Sequence, residues 1–391
     1  MKKKILFINP SLRQGGVEHS LITVLQTLDP EQYEISLFLY TDMTDLLPQI
    51  PDHVRVIVQP DRTKYFRKPY SVLKLLQYRI CGLLGARNKA EAARQAMYAY
   101  IHRQKVAYPA KNVFRGDEFD AVISYSLHIG TEMSLLLRSR RYYVLMHSSD
   151  PKYHREIIER SLMRFDKIVA VSNGVADVYR ENYPCLSEKI TSIENYVDAA
   201  RTLRLAQDAI SSDMTAGAEW VFTTCGRLSH EKGFDLAVET AGKLKEKGLS
   251  FRWLFIGDGA EREPLEKLIR EQRLENEILI TGFQENPFPY MNACAIYVQP
   301  SYEEAQPLVL LEAMILGKPI VSTNTVGGRT ILENGKKGVL TDFSAESLAD
   351  GILSLINAPE KRAAFSNLYT PEDDRRNRAV YAKKWNALLS E

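Results

Sequence analysis

The sequence has few cysteines and no long apolar segment. Its four cysteines (Cys81, Cys185, Cys225 and Cys294) are far apart and lack the spacing of metal ligands or redox pairs. We therefore expect reduced thiols, as in a cytoplasmic protein. No run of residues is long and apolar enough to cross a bilayer as a helix. The apolar run after the opening lysines is too short for a signal peptide, and it predicts a first buried strand over residues 4–9.

An excess of charge of one sign is also absent, since the formal net charge is only +2 at pH 7. The total therefore gives no indication of a nucleic-acid partner, and no recognition motif for nucleic acid accompanies it. The 391 residues are enough for about two domains. With 45% hydrophobic and 26% charged residues, the composition is that of a globular protein with a large core.

A pair of glycines follows the first predicted strand. Gly15 and Gly16 lie between this strand and an apolar-periodic helix expected over about residues 17–28. A strand, a glycine loop and a helix start bring backbone N–H groups close to phosphate. The loop is neither a Walker loop nor the G-x-G-x-x-G dinucleotide pattern. Both glycines are therefore candidate ligand contacts, with a simple tight turn as the alternative.

Short apolar runs typical of buried strands recur in both halves of the chain. They cover residues 33–40, 54–58, 119–125, 142–146 and 167–172, and then 220–225, 253–256, 278–283 and 295–299. Such strands predict α/β layers with parallel sheets. His128 and His147 each follow one of these strands, where a parallel sheet presents its ligand crevice. A structural role is the alternative for either histidine.

Two cations follow the first predicted strand of the second half. Arg227 and Lys232 lie five residues apart in the loop that begins at Gly226. Paired cations at a strand end suit a diphosphate, because they form charge-assisted hydrogen bonds with it. An ordinary surface loop is the alternative. A Gly-x-Gly turn at Gly257 and Gly259 follows the next strand, but it lacks the third glycine of a dinucleotide fingerprint.

The most informative stretch of the chain contains one predicted helix. Pro307 suits the first turn of that helix and Gly317 suits its end. Residues 308–316 between them are apolar almost all the way round, which predicts burial on most sides. Glu312 lies in the middle, and Glu304 lies eight positions earlier, in the preceding loop. Two acids around an anion-binding helix end suit a ligand with hydroxyls and a phosphate. A solvated loop acid and a paired core acid are the alternative.

The Glu-x7-Glu pattern, within Ser-Tyr-Glu-Glu-Ala-Gln-Pro-Leu-Val-Leu-Leu-Glu-Ala-Met and followed by Gly-Lys-Pro, resembles the retaining glycosyltransferases of family 4. Further similar elements are Gly-Arg-Leu…Glu-Lys-Gly at 226–233, Gly-Gly-x-Glu at 15–18, Asn-x-x-Asp at 195–198 and the histidine at 147. The resemblance covers nearly the whole chain and is strongest over residues 220–339. The chain departs from the family where Arg329 and Thr330 replace a glutamate that often follows the glycines of segment 326–328.

The resemblance implies the GT-B fold, in which two Rossmann-like α/β domains face each other across a cleft and a C-terminal helix crosses back to the first domain. The expected parts are an N-terminal acceptor-binding domain at 1–198, a linker at 199–218, a nucleotide-sugar-binding domain at 219–370 and the returning helix at 371–391. That helix has Val380, Trp385, Leu388 and Leu389 available for packing.

The resemblance also implies roles for individual residues. Glu312 would hold the ribose hydroxyls, and Glu304 would hold sugar hydroxyls near the reacting carbon. Arg227 and Lys232 would neutralise the diphosphate, so that no metal and no other cofactor is expected. The expected catalytic residues are Glu304, His147, Arg227 and Lys232. The expected donor-binding residues are Gly15, Gly16, Arg227, Lys232, Gly257, Gly282, Phe283, Glu304, Pro307, Leu308, Val309 and Glu312, with Glu18 as a further candidate.

The implied activity is retaining, metal-independent transfer of a hexose from a nucleotide-diphosphate sugar, with UDP as the expected nucleotide. The expected acceptor is a glycan or a lipid-linked sugar in cell-surface polysaccharide biosynthesis. One alternative is a sugar-nucleotide epimerase or a phosphorylase on the same fold. The other is a non-catalytic subunit that binds a sugar nucleotide or a glycan.

Residues 61–115 are strongly basic, with thirteen Lys or Arg against two acids and with apolar and aromatic residues interleaved. Basic amphipathic helices of this kind can lie on anionic membrane surfaces. We therefore expect a cytoplasmic protein that can bind the inner face of the cell membrane. A solvated helical face, whose Lys and Arg stems cover a core, is the alternative.

Overall fold

The computed structural model describes residues 2–13, 15–59, 110, 112–127, 129–151 and 161–391. These residues form two β-sheets with helices between the strands. The strands of the first sheet are β1 (Lys3–Asn9), β2 (Tyr33–Leu39), β3 (Arg55–Val58), β4 (Glu118–Ser124), β5 (Arg138–Met146), β6 (Lys167–Ala170) and β7 (Ile190–Ser192). Their order is β3-β2-β1-β4-β5-β6-β7, and all neighbours are parallel.

The second sheet repeats this arrangement with six strands. They are β8 (Trp220–Cys225), β9 (Phe251–Ile256), β10 (Ile278–Gly282), β11 (Ile296–Gln299), β12 (Ile320–Thr323) and β13 (Val339–Thr341). Their order is β10-β9-β8-β11-β12-β13, again parallel throughout. The central strand β1 contains the continuous buried apolar run of residues 5–8, as is typical of parallel strands covered on both faces.

The helices of the described residues connect these strands. They are α1 (Gly16–Thr27), α2 (Ile129–Ser134), α3 (Asn173–Asn182), α4 (Ala199–Leu205), α5 (Phe234–Glu246), α6 (Arg262–Glu271), α7 (Phe288–Ala293), α8 (Leu308–Ile315), α9 (Val326–Ile331), α10 (Ala345–Ile356), α11 (Pro359–Ser366) and α12 (Pro371–Ser390). Short 3-10 turns occur at Leu47–Gln49, Leu162–Arg164, Pro184–Lys189, Ser212–Met214, His230–Lys232 and Glu333–Gly335. The predicted α/β architecture of two Rossmann-like domains is confirmed.

The strand order reverses at the first strand of each half. β1 lies between β2 and β4, and β8 lies between β9 and β11. Open parallel sheets form their ligand crevice outside the carboxyl ends of the strands, at such a reversal. The loop with Gly15 and Gly16 leaves β1 at this point, and the loop with Gly226 and Arg227 leaves β8. The fold therefore places both predicted phosphate loops at crevices.

Helix α12 returns to the first domain, as expected. Its buried side chains belong to the core around β1, and they are Tyr381, Trp385, Leu388 and Leu389. These positions are spaced by four, three and one, which is one face of a helix. Val380 lies off that face and is 48% exposed, so its expected packing role was wrong. The Thr370 side chain and Asp373 form a capping box at the start of the helix.

The segment predicted as a linker, 199–218, begins with helix α4. The side chain of Asp198 accepts a hydrogen bond from the backbone N–H of Arg201 at 2.9 Å and so caps this helix. Helix α4 contacts α8 and α7 of the second domain. The connection therefore contributes side chains to the region between the domains.

Candidate functional site

A cavity of about 530 Å³ lies between the two domains. Of the predicted site residues, it is lined by Gly15, Gly16, His147, Arg227, Lys232, Gly257, Phe283, Glu304, Pro307, Leu308, Val309 and Glu312. Gly282 and Glu18 are not among the lining residues. The structure thus brings nearly all of the predicted site residues, from both halves of the chain, to one cavity.

Glu304 is almost fully buried and accepts hydrogen bonds on one carboxylate oxygen. Its Oε1 lies 2.8 Å from Lys232 Nζ, 3.0 Å from Gln299 Nε2 and 2.9 Å from Ser301 Oγ. These donors compensate a charge that would otherwise be costly to bury. None of the residues that the structure describes donates a hydrogen bond to the other oxygen, Oε2. The Oε2 atom is thereby left as an acceptor for a ligand hydroxyl.

Lys232 is therefore an ion-pair partner of Glu304 as well as a predicted phosphate ligand. It ends the 3-10 turn His230–Lys232, and Gly233 follows in the left-handed region at φ 64°. A Cβ at Gly233 would lie 2.1 Å from the carbonyl oxygen of Pro300, so this close approach requires glycine. The contact fixes the loop against the segment after β11.

The Arg227 guanidinium is exposed at the mouth of the second sheet. Within the described part of the chain, it makes no hydrogen bond or ion pair through its side chain. Burial raises the pKa of Glu18 in the first domain, and the charge of Arg227 opposes that rise. Against the opposing effect of burial, the pKa of Glu231 is lowered mainly by hydrogen bonds, from Ser229 first, with smaller contributions from Lys232 and Arg227. Arg227 is therefore a cation that faces both domains and can bind an anionic ligand.

Glycines let three loops of the second domain meet at the cavity. A Cβ at Gly257 would lie 1.9 Å from the Gly226 carbonyl oxygen, and one at Gly259 would lie 2.3 Å from that of Leu228. The Gly257 N–H donates to the Gly282 carbonyl at 3.0 Å. Gly282 thus holds Gly257 through this hydrogen bond without lining the cavity itself. Phe283, the next residue, lines the cavity and is 54% exposed.

Glu312 is half-buried on α8 and faces the same cavity. Burial raises the pKa of its carboxyl to about 7, and the charge of Arg201 opposes that rise. Arg201 lies on α4 and donates to Gln49 Oε1 at 3.3 Å. Sequence reasoning missed Arg201, because it assigned this segment to a linker. The available signal was the neighbouring Asn-x-x-Asp motif, whose last residue caps α4.

His147 lies just beyond the carboxyl end of β5 and lines the cavity. Its Nε2 lies 2.8 Å from the carbonyl oxygen of Tyr125. Burial lowers the pKa of His147 to about 4, so the imidazole is neutral at pH 7. Nε2 then carries the proton that is donated to Tyr125, and Nδ1 is left as an acceptor. Trp385 of α12 stacks on the Tyr125 ring, at 6.5 Å between centroids.

Two helix N-termini meet across the cavity. Helix α1 begins after Gly15 and α8 begins after Pro307, and neither has a side-chain cap. A Cβ at Gly16 would lie 4.0 Å from the Leu308 side chain, which shows how close the two ends are. Free backbone N–H groups and positive dipole ends at such positions attract anions. Glu18 folds back against Gly15, and burial raises the pKa of its carboxyl.

Several further residues of the cavity were not predicted, among them His19, Arg201 and Gln306. Burial, followed by the charge of Arg201, lowers the pKa of His19 to about 4. The Oε1 atom of Gln306 accepts the backbone N–H of Asn195 at 2.8 Å, which links the two domains. His19 lies directly after the Gly-Gly-x-Glu element, and that position was the available signal for it. The side-chain contact of Gln306 had no sequence signal.

Some predictions fall on residues that the structure does not describe. His128 and most of the basic segment 61–115 lie outside the described residues. In the described parts of the chain, no helix is long and apolar enough to cross a membrane. Nor do these parts bring three His, Cys, Asp or Glu side chains together as a possible metal site.

Two family models together match most of the chain. The model described as Glycosyltransferase Family 4 matches residues 14–201, and the model described as Glycosyl transferases group 1 matches residues 209–368. The chain belongs to glycosyltransferase family 4. The Glu-x7-Glu segment and the Arg227–Lys232 loop both lie within the second matched region, and the Gly15–Gly16 loop lies within the first.

Relatives of this family 4 chain have several different named activities. The alpha-D-kanosaminyltransferase of Streptomyces kanamyceticus is 32% identical over 149 residues, which are 37% of this chain and 39% of that protein. The N-acetylgalactosamine-N,N'-diacetylbacillosaminyl-diphospho-undecaprenol 4-alpha-N-acetylgalactosaminyltransferase of Campylobacter jejuni is 23% identical over 373 residues, which are 94% of this chain and 93% of that protein. The chain thus spans well under half of the first relative and nearly all of the second.

Solved structures show the same fold over the full length of this family 4 chain. Anabaena HepE in complex with UDP and glucose has a TM-score of 0.73 at 20% identity and covers 100% of both chains. TarM has a TM-score of 0.72 at 14% identity and covers 100% of this chain and 99% of its own. The predicted GT-B fold is therefore confirmed.

Proposed function

We propose that the protein transfers a hexose from a nucleotide-diphosphate sugar, with UDP as the nucleotide, to a glycan or lipid-linked acceptor. One observation carries this proposal. Glu304 lines the interdomain cavity together with Arg227 and Glu312; one of its oxygens binds Lys232, and the other accepts no hydrogen bond from the described residues. A carboxylate acceptor, a free cation and a second carboxylate suit the hydroxyls and the diphosphate of one donor molecule. The Anabaena neighbour bound to UDP and glucose is consistent with this choice of nucleotide.

Each of these residues binds a different part of the donor. Glu312 accepts the ribose hydroxyls, and Glu304 Oε2 accepts a hydroxyl of the transferred sugar. Arg227 and Lys232 bind the diphosphate oxygens, with the uncapped N-termini of α1 and α8 beside them. The two cations supply the charge stabilisation of the leaving group, so that a metal ion is not required.

Transfer then proceeds with retention at the anomeric carbon. The bond between that carbon and the β-phosphate oxygen breaks while the acceptor oxygen bonds to the carbon from the same face. The acceptor proton passes to the departing phosphate oxygen, and the products are a glycoside and a nucleoside diphosphate. His147 donates through Nε2 to Tyr125, and its Nδ1 accepts from a hydroxyl of the transferred sugar. A neutral imidazole suits this role, because it offers an acceptor without repelling a cationic loop.

The acceptor class is inferred from the relatives. The Campylobacter jejuni relative is named for an undecaprenol-linked substrate, and further relatives are named for lipopolysaccharide core and colanic acid biosynthesis. We infer an acceptor of cell-surface polysaccharide assembly, used at the inner face of the membrane. The basic segment 61–115 would bind the anionic surface. Binding to vesicles that contain anionic lipid at low salt tests this part, and its absence would contradict it.

The test of the transferase proposal is donor hydrolysis and binding across UDP-, GDP- and ADP-sugars. Glu304→Ala and Arg227→Ala are compared with Glu263→Ala and Arg270→Ala, which change exposed residues of α6 outside the cavity. Removing a charged donor that stabilises the leaving group costs on the order of 10²-fold or more in rate. We therefore expect slow cleavage of UDP-sugar that is lost in both cavity variants and kept in both controls.

Other outcomes would assign the chain differently. Conversion of the sugar to an epimer without cleavage would mean an epimerase. Tight binding without cleavage, even when undecaprenol-linked acceptors are supplied, would mean a binding subunit. The absence of binding to every nucleotide sugar would overturn the assignment of the cavity.

A further inference from the structure

The loop that carries Glu304 is held by both domains at once. We call residues 303–306 the acid loop; it connects β11 to α8. Glu304 turns towards its own domain, where it binds Lys232, Gln299 and Ser301. Its neighbours turn the other way, towards the first domain. The acid loop thus makes one predicted catalytic contact within its own domain, and the residues on either side of it contact the first domain.

Three residues of the acid loop accept hydrogen bonds from the first domain. Glu303 Oε1 accepts from Ser148 Oγ at 3.1 Å and from Ser149 Oγ at 3.3 Å. The Ala305 carbonyl accepts from Ser172 Oγ at 3.2 Å, and Gln306 Oε1 accepts from Asn195 N at 2.8 Å. Two of these bonds end on a carboxylate, which makes them charge-assisted.

The donors come from three adjacent strands of the first sheet. Ser148 and Ser149 follow β5, Ser172 follows β6, and Asn195 follows β7. The acid loop therefore crosses the carboxyl ends of β5, β6 and β7 in turn. Ser148 is also the residue next to His147. The hydrogen bonds that the acid loop makes with the first domain therefore set the position of Glu304 relative to His147.

A tight contact beside the acid loop supports the same arrangement. A Cβ at Gly174 of α3 would lie 2.7 Å from Thr330 Oγ1 and 2.9 Å from Val326 Cγ1 of α9. A Cβ at Gly327 would lie 2.9 Å from the Ala305 carbonyl oxygen. The backbone N–H of Gly327 donates to the Glu304 carbonyl at 2.8 Å. The loop, α9 and α3 are thus packed without space for side chains between them.

We propose that the acid loop is an interdomain clasp, which brings Glu304 to its working position opposite His147 when the domains close. Glu303, Ser148, Ser149 and Ser172 are positioning residues in it. Glu303 is exposed, so its hydrogen bonds can exchange with water when the domains separate. Arg227, Lys232 and Glu312 belong to the second domain alone. In the proposed nucleotide-binding part of the donor site only the N-terminus of α1 comes from the first domain, so we expect loss of the clasp to weaken nucleotide binding far less than sugar transfer.

The kinetic test, which rests on the proposed function, separates these two steps. In Glu303→Ala and in the double variant Ser148→Ala/Ser149→Ala, we expect kcat to fall roughly tenfold to a hundredfold, since small misplacements of reacting groups cost this much. The Kd for UDP should stay within about twofold of wild type. Glu303→Gln keeps an oxygen that accepts from both serines, and it should recover most of the rate. Ser211→Ala, an exposed serine of the 199–218 segment, is the control.

A second measurement does not depend on activity. Spin labels are attached at Leu136→Cys in the first domain and Phe343→Cys in the second, both exposed, after Cys81 and Cys185 are replaced by serine. We expect Glu303→Ala to shift the interspin distances to longer values and to broaden their distribution. Glu303→Gln should restore the wild-type distribution.

The two measurements distinguish failure of the clasp from failure of the proposed function. Open distances in Glu303→Ala of a protein that transfers no sugar would support the clasp and refute the transferase. Wild-type distances and wild-type kcat in Glu303→Ala would overturn the clasp and leave the transferase intact. A large loss of UDP affinity together with unchanged distances would also overturn it, because Glu303 would then act as a binding residue.

Discussion

The Lys232 ammonium lies 2.8 Å from Oε1 of Glu304, although the two residues are 72 positions apart. Lys232 ends the loop after β8, and Glu304 lies in the loop after β11, which is the neighbouring strand. The side chain of Glu304 is 7% exposed and that of Lys232 is 27% exposed. This pair connects the phosphate-binding part of the cavity to the part that would hold the transferred sugar.

Removal of the cation should leave a buried carboxylate without its charge partner. We expect Lys232→Met to lower the free energy of unfolding by about 1–3 kcal/mol, less than for a fully buried pair because Lys232 is partly exposed. Addition of Glu304→Gln should restore part of this loss, since the neutral amide needs no cation. The measurement is urea denaturation at pH 7. Lys267→Met, in an exposed pair on α6, should cost under about 0.5 kcal/mol, and strict additivity of the two cavity changes would contradict the coupling.

Glu312 should make the folded protein less stable as the pH rises. Burial raises its pKa from 4.5 to about 7, so the folded state binds this proton more tightly than the unfolded state. Stability should therefore fall as pH rises from about 4.5 to 7 and level off above that range. We expect Glu312→Gln to be more stable than wild type by about 1–2 kcal/mol at pH 8 and equally stable at pH 4. Denaturation curves at both pH values test this, with the exposed Glu263→Gln as control.

The same ionisation should affect donor binding. The charged form of Glu312 is the stronger acceptor for ribose hydroxyls, so we expect UDP affinity to rise between pH 6 and 8. Arg201 favours the charged form, and its removal in Arg201→Ala should move this rise to higher pH. Calorimetric titration of UDP at several pH values measures the shift. Arg204→Ala changes an exposed arginine of the same helix and should leave the profile unchanged.

His147 should contribute to acid sensitivity. Its pKa is lowered from 6.5 to about 4, so the unfolded state binds this proton more tightly. The stability that it contributes is complete above pH 6.5 and is lost as pH falls towards 4. We expect His147→Asn to reduce the slope of stability against pH in this range by about 1 kcal/mol per pH unit. His53→Asn, at an exposed position, is the comparison, and equal slopes in the two variants would contradict the assignment.

Gly233 and Gly248 form a matched pair for testing the Lys232 loop. Both have left-handed backbone angles, with φ of 64° and 78°. A Cβ at Gly233 would collide with the Pro300 carbonyl, whereas one at Gly248 would meet nothing within 4 Å. Gly248→Ala should cost about 1 kcal/mol from backbone strain and keep full activity. Gly233→Ala should cost about 2–4 kcal/mol and also lower kcat, because it displaces Lys232. Equal effects in thermal unfolding and turnover would contradict the role of the close contact.

Periodic features of the chain were predictable from the sequence alone. The apolar runs form the strands of two parallel sheets. Strands in such sheets are buried on both faces, and short apolar runs are their sequence pattern. The prediction of α8 was close, since Pro307 immediately precedes the helix and Gly317, with φ 66°, ends it. Val380 shows the limit of this reasoning. A helix of 20 residues can turn any of several faces to a core, and the sheet of the first domain selected Tyr381 and Trp385 instead.

Long-range partners were not predictable in this way. Arg201 joined the cavity because helix α4 packs beside α8, and Gln306 became an interdomain contact because Asn195 lies opposite it. Neither fact follows from local pattern, since each depends on how the ends of two sheets are placed. The pairing of Lys232 with Glu304 was also missed. The sequence suggested a phosphate ligand, and the neighbouring positions of β8 and β11 added the second partner.

The sequence by itself determined the family, the two-domain α/β architecture and a set of candidate site residues, nearly all of which line the cavity. Local chemistry suffices for these, because glycine loops, a strand period and a Glu-x7-Glu spacing are properties of short segments. Only the tertiary structure decided the ionisation of Glu312 and His147, the free oxygen of Glu304 and the hold of the first domain on the acid loop. These depend on burial and on distances between atoms far apart in the chain, and chain folding alone fixes such distances.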